Sequence, residues 1–332
     1  MLPRQRWSGL PGRQQHTAGF AAAAAAARRR PARLRPAVAS LRTAEPSLIT
    51  LPVFPLSNVL HPAQQGMLKV YEPRYLALFR DLLAENPARG RGGRFVHVLS
   101  PSAAPPALLE NAVGGLPRIG CCAEVEQIQA LDDGTLVVRY SGERRVQLLM
   151  VAGEEEPYTR VAAEYYDDEP LADLDPTVDI LEREAAKLLQ QIETLSRRLD
   201  PSNPALPEAV MKYRPPASAV KKTSYDTLKE AGHQAAGHID MWRRHGSVYK
   251  KQSRAAAAAA DPYEAIRESI GKGRRQELFS FAVAQLLVMG TPERAALLLS
   301  QDTGARLNFV LAALRPYLLE LQAKASLKRS LE

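Results

Sequence analysis

The chain has 332 residues, 45% of them hydrophobic, enough for an ordinary buried core. Its two cysteines, Cys121 and Cys122, are adjacent, which excludes a disulfide-stapled secreted scaffold. The formal net charge of +8 sits at the start: residues 1–44 hold nine arginines and no acid, and the rest has 35 basic against 36 acidic residues, which excludes a globally basic nucleic-acid-binding body.

Within residues 1–44, Ala21 to Ala27 run into Arg28-Arg29-Arg30. An acid-free, Arg- and Ala-rich start of this kind reads as an organellar transit peptide, with Val38-Ala39-Ser40 as a processing neighbourhood; a plain disordered tail is the alternative. A second alanine run, Ala255 to Ala260, adds to a composition that favours the chloroplast stroma over the mitochondrial matrix. That leader alanine run is short and flanked by arginines, and no other stretch nears the ~18 apolar residues of a membrane span, so the chain reads as soluble.

The first ordered region is expected over 48–170. Leu48 to Phe54 reads as a strand ended by Pro55, and Met67 to Tyr71 as a second. Pro73 opens a helix over Arg74 to Asn86, with Leu76, Phe79 and Leu83 on one face, closed by Asn86-Pro87 and the run Arg89 to Gly93. Phe95 to Leu99 is a strand, Pro101 to Pro117 a loop, and Ile119 to Leu131 a strand. Asp132-Asp133-Gly134 then makes a hairpin turn into Thr135 to Tyr140, because such a turn needs positive φ. A further turn at Ser141-Gly142 leads to strands at Arg145 to Val151 and Tyr158 to Tyr165. Serial strands with tight turns and one interrupting helix mean a small β-barrel or sandwich.

Helices follow. Over 175–200, Val178, Leu181, Ala185, Leu188, Ile192, Leu195 and Leu199 repeat every seven residues, after Asp175 as cap and Pro176 in the first turn. That stripe packs on another helix of the chain or on a partner. Residues 201–260 read as a basic, Ala-rich insertion, partly helical or disordered, with ten basic residues against three acids between Lys212 and Arg254. The last region, 261–327, is a helical subdomain. In it Thr291-Pro292-Glu293 starts a helix, and Leu307, Leu311, Leu314, Leu318 and Leu321 form an apolar stripe.

No residue constellation supports catalysis, a cofactor or a metal. Gly271-Lys272-Gly273 lacks the spacing and the hydroxyl of a phosphate-cradling loop, and neither G-x-S-x-G nor H-E-x-x-H occurs. Cys121 and Cys122 fall on one strand, pointing to opposite faces, so they read as structural residues. His61 and His97 are isolated; His233, His238 and His245 lie in the insertion without a further ligand. That insertion could meet an acidic partner, RNA or an anionic membrane, or be a solvated linker. Its aromatics, Tyr213, Tyr225, Trp242 and Tyr249, form no stacking motif.

The pair Leu51-Pro52-Val53-Phe54-Pro55-Leu56 and Tyr71-Glu72-Pro73-Arg74-Tyr75 resembles the opening of the amino-terminal substrate-binding domain of Lon proteases. The order and spacing of Phe95-Val96, Ile119-Gly120, Ala123-Glu124-Val125, Asp133-Gly134, Gly142 with Arg144-Arg145, and Pro157-Tyr158 continue it over 48–170. Over the long helix and Glu277 to Leu321 it is fainter. The sequence departs at Pro62-Ala63, where the family has Pro-Gly, and at Val146, where an aromatic residue follows the basic pair. The resemblance implies an α+β fold, a PUA-like β-barrel followed by an α-helical bundle subdomain. It implies structural roles for Pro52, Phe54, Pro55, Glu72, Pro73, Arg74, Tyr75, Gly120, Asp133, Gly134, Gly142, Arg144 and Arg145, with Glu72 and Arg74 tying the strand end to the barrel. The sequence stops at Glu332 with no segment resembling Lon's ATPase or Ser–Lys protease. The expectation is a non-enzymatic polypeptide-binding module, an adaptor or quality-control factor whose partners are unfolded or specific client proteins and organellar protease or chaperone machinery. An RNA- or ribosome-associated role through the basic insertion is the competing reading; the near-neutral charge outside the leader weighs against it.

Overall fold

The computed structural model describes residues 48–85, 93–152, 157–169, 176–216 and 261–331. The leader 1–44, the helix-ending run at 86–92, Asp175 and most of the basic insertion, including its three histidines, lie outside them.

Six strands form one sheet: β1 Ile49–Leu56, β2 Gln65–Val70, β3 Arg94–Leu99, β4 Ile119–Ala130, β5 Leu136–Ala152 and β6 Arg160–Tyr165. Their order is β2-β5-β4-β3-β1-β6, and β5 also pairs with β6, so five strands close into a barrel with β2 appended. Only β1 and β3 run parallel; the crossover between them carries β2 and helix α1, Pro73–Glu85. The loop from Pro101 to Pro117 contains one short helix, α2, Pro106–Leu109.

Strand alternation sends neighbouring residues to two cores. Leu51, Val53, Val96, Cys122, Val146 and Val161 fill the barrel. Phe54, Phe95, Cys121, Val125 and Val138 face outward beneath α1, which buries Tyr75, Leu78, Phe79 and Leu82 against them. The α1 face is therefore one position away from that expected, and Leu83 is exposed.

The hairpin at Asp132-Asp133-Gly134 forms as its chemistry requires. Leu131 and Thr135 close it, and Gly134 takes φ +79°. The turn expected at Ser141-Gly142 does not form; β5 runs through it for 17 residues. What occurs there is a bulge: Cys122 faces Arg144 and Ala123 faces Gly142, leaving Glu143 as the extra residue. A bulge bends a strand and shifts its alternation. Before it, Leu136, Val138 and Tyr140 face the α1 core; beyond it, Val146 and Leu148 face the barrel interior. Arg145 is thereby turned outward.

The helical lobe comprises α3 Thr177–Leu199, α4 Glu208–Tyr213, α5 Glu264–Ser269, α6 Lys272–Ala284, α7 Thr291–Leu299 and α8 Thr303–Leu331. The heptad stripe of α3 packs within the chain, in one cluster with Leu307, Val310, Leu311, Leu314, Leu318 and Leu321 of α8. Helix α6 packs against both and is buried at every position from Arg275 to Ala284. The starts of α3 and α7 differ from expectation. Pro176 itself occupies the cap of α3, and Gly290 that of α7, with Thr291 already helical. No helix of the described residues is long and apolar enough to cross a membrane.

Candidate functional site

At one end of the barrel an open cleft of about 350 Å³ is lined by Pro55 of β1, Arg74 and Tyr75 of α1, Leu116, and Pro157-Tyr158. These four segments, apart in sequence, meet there. Phe54 and Tyr75 lie ring to ring, with centroids 4.1 Å apart, which sets α1 against β1. The Arg74 guanidinium lies 4.7 Å over the Tyr75 ring and donates twice to Glu72, at 2.7 and 3.0 Å. Glu72 and Arg74 thus bind each other at the surface and do not tie the strand end to the barrel. Tyr158 donates its hydroxyl to Asp81 of α1 at 2.8 Å. No acid, histidine or cysteine is among the described residues lining the cleft. Rings, prolines and one cation can hold a polypeptide by apolar contact and hydrogen bonds; this lining has no acid, histidine or thiol to serve as general base or thiolate nucleophile.

The remaining motif residues lie elsewhere. Pro52 sits in β1 opposite Arg160 of β6. Pro73 is the first residue of α1. At Gly120 a β carbon would come within 2.9 Å of the His97 carbonyl oxygen, and at Gly142 within 2.2 Å of that of His61, so both glycines serve close backbone approach. Asp133 accepts from Thr135 and from Lys69 of β2, and these hydrogen bonds hold its carboxyl down at about 2.

Arg145 fastens the barrel to the helices, and Arg144 holds the end of β6 and the segment after it. Arg144 pairs with Asp167 and stacks on Tyr165. Arg145, wholly buried, donates to the carbonyls of Leu298 (3.0 Å) and Ser300 (2.5 Å), to Glu277 of α6 (3.1 Å) and to Asp168. Asp168 also takes Arg306 of α8, itself wholly buried. Burial raises the Asp168 carboxyl's pKa, but the facing guanidiniums of Arg306 and Arg145 outweigh it and hold the group below the usual carboxylate range. A second buried pair, Glu182 of α3 with Arg275 of α6, is bidentate and joins the helices to each other.

His61 and His97 line the same junction. Each donates its Nε2 hydrogen to a carbonyl at 2.8 Å, that of Arg294 and that of Asn58 respectively. Burial lowers both, His61 to about 3 with Arg294 assisting and His97 to about 4, so both are neutral. Burial pushes the Cys122 thiol up to about 12 and Cys121 well above its ordinary value, so neither is a thiolate. No group of three or more metal-ligating side chains exists among the described residues. Between the barrel, α2 and α7 lies a second cavity, of about 240 Å³, walled by Leu60, Leu99, Leu108, Leu298 and Leu299.

The sequence model of the ATP-dependent protease La (LON) substrate-binding domain matches residues 50–315. The chain belongs to this family. Among solved structures, the LON family is represented by a Lon N-terminal domain protein from Xanthomonas campestris, 24% identical, over 43% of this chain and 74% of that one, with a TM-score of 0.31. The N-terminal domain of Mycobacterium avium complex Lon protease is 14% identical over 80% of this chain and 98% of that one, with a TM-score of 0.43. No curated protein matches the chain.

Two parts of this LON domain escape motif reading. The fastening network draws Asp168, Glu277 and Arg306 from three distant segments. Its one sequence signal is the acid run Asp167-Asp168-Glu169, shortly after the basic pair Arg144-Arg145. The junction cavity has no local signature, because its walls come from a strand, a loop and a helix that only the fold brings together.

Proposed function

We propose that the chain is a non-enzymatic polypeptide-binding module, acting as an adaptor or protein quality-control factor in an organelle, the chloroplast stroma before the mitochondrial matrix. The observation that carries this reading is the gathering of Pro55, Arg74, Tyr75 and Pro157-Tyr158 around one open cleft in a chain of a substrate-binding family. An extended client would lie along Pro55 and Pro157, touching only the edges of the largely buried Tyr75 and Tyr158, with backbone carbonyls toward Arg74. Such a surface gives affinity through a few aromatic and arginine anchors. Its clients are unfolded or specific proteins, and its partners organellar protease or chaperone machinery. The acid-free, Arg-rich composition of residues 1–44 supports the compartment.

The test is binding of the full chain to a permanently unfolded, reduced and carboxymethylated protein. Arg74→Glu alters an exposed residue, leaves the cores untouched and is expected to weaken binding about tenfold. Undiminished binding in that variant would remove the cleft from the account, and no binding by the wild type would remove the function. A reporter carrying residues 1–44 that enters mitochondria and not plastids would overturn the compartment.

A further inference from the structure

The cavity between the barrel and the helical lobe is separate from the barrel-end cleft, and its lining has one charge. Arg118, exposed at its rim, has no ion-pair or side-chain hydrogen-bond partner among the described residues. No carboxylate lines the cavity. Inside, Leu60, Leu99, Leu108 and Leu298 make the wall apolar. Gln147, also lining it, donates its Nε2 to Glu164 at 3.2 Å and keeps its Oε1 free to accept a hydrogen bond.

A free cation beside an apolar recess selects a ligand that joins a carboxylate to an apolar body. The volume of about 240 Å³ has room for one leucine- or phenylalanine-sized group. An amide N–H one bond from the carboxylate-bearing carbon would meet the Gln147 oxygen. We infer that this cavity captures the carboxyl-terminal residue of a client polypeptide, its apolar side chain in the recess and its α-carboxylate on Arg118. The inference rests on the polypeptide-binding reading and specifies which part of a client this second site takes. It also places the client's end against both α7 and the barrel, so that occupancy bridges the two bodies.

The experiment measures anisotropy of a labelled peptide ending in leucine as the free acid, against the same peptide as its amide, with the full chain. Octanoate serves as a competitor. The free acid is expected to bind at least about tenfold tighter than the amide. Arg118→Gln should erase that preference. Ala107→Trp, which enlarges an exposed residue at the cavity rim, should abolish binding of the acid. Equal binding of acid and amide, no binding of either, or binding of octanoate without the peptide acid each overturn the inference. Binding of the carboxymethylated protein in those same cases would leave the general polypeptide-binding reading standing.

Discussion

Ala63 shows how one side chain can sit against its backbone. It takes φ +63°, a left-handed conformation that a β carbon resists. The cause is a bulge-like pairing in which Ala63 and Gln64 together face Gly142: Ala63 N–H donates to the Gly142 carbonyl, and Gly142 N–H to that of Gln64, both at 2.8 Å. Glycine fits the first position of such a bulge, and the Pro-Gly of the resembled family has glycine there. Ala63→Gly is expected to raise unfolding free energy by about 0.5–1 kcal/mol, net of glycine's greater freedom in the unfolded chain; urea titration measures it. His61 and His97 make stability depend on pH. Their folded values, about 3 and about 4, lie below the ordinary 6.5. On acidification the unfolded chain takes up protons that the folded chain refuses. Stability is therefore full above pH 6.5 and falls as pH drops toward 4. Urea midpoints at pH 7.5 and pH 5 should show the loss, and His97→Gln should reduce it.

At the level of elements, what could be read from sequence depended on how local its cause was. The Asp133-Gly134 hairpin, the α3 heptads and the α8 leucine stripe follow from turn chemistry and periodicity, and each lies where those place it. The break at Ser141-Gly142 was a real signal with another meaning. Glycine there admits the His61 backbone and the strand bends through a bulge, without turning back. Strict alternation cannot survive an inserted residue, so the outward aim of Arg145 was not legible. Nor was the α1 face, because Tyr75, Leu78, Phe79 and Leu82 fit the helical period as well as Leu76, Phe79 and Leu83 do, and only the strands beneath decide. The bulge carries an energetic consequence. Arg145→Ala leaves Asp168 and Glu277 short of a buried countercharge and takes the side-chain donor from the Leu298 carbonyl at α7's end, while Arg306 still serves that of Ser300; the loss is expected to cost about 3–5 kcal/mol. Chemical denaturation followed by tryptophan-independent far-ultraviolet signal reads that loss.

In the whole molecule, two bodies with cores of their own are joined by charged and polar contacts over a small apolar patch of Val59, Leu99, Ala295 and Leu298. That junction holds the buried Arg145 and Arg306, both buried histidines and the cavity, and no short motif encodes it. The barrel-end cleft was half legible: the segments Leu51–Leu56, Tyr71–Tyr75 and Pro157-Tyr158 stood out in the sequence, but their meeting at one opening is a property of the closed sheet. The claim that this opening holds polypeptide is tested most directly by hydrogen exchange on the full chain, with and without a saturating carboxymethylated client. Slowed exchange at residues 71–76 and 157–160 is the expected result. Unchanged exchange there, with protection confined to the basic segment 217–260, would contradict it.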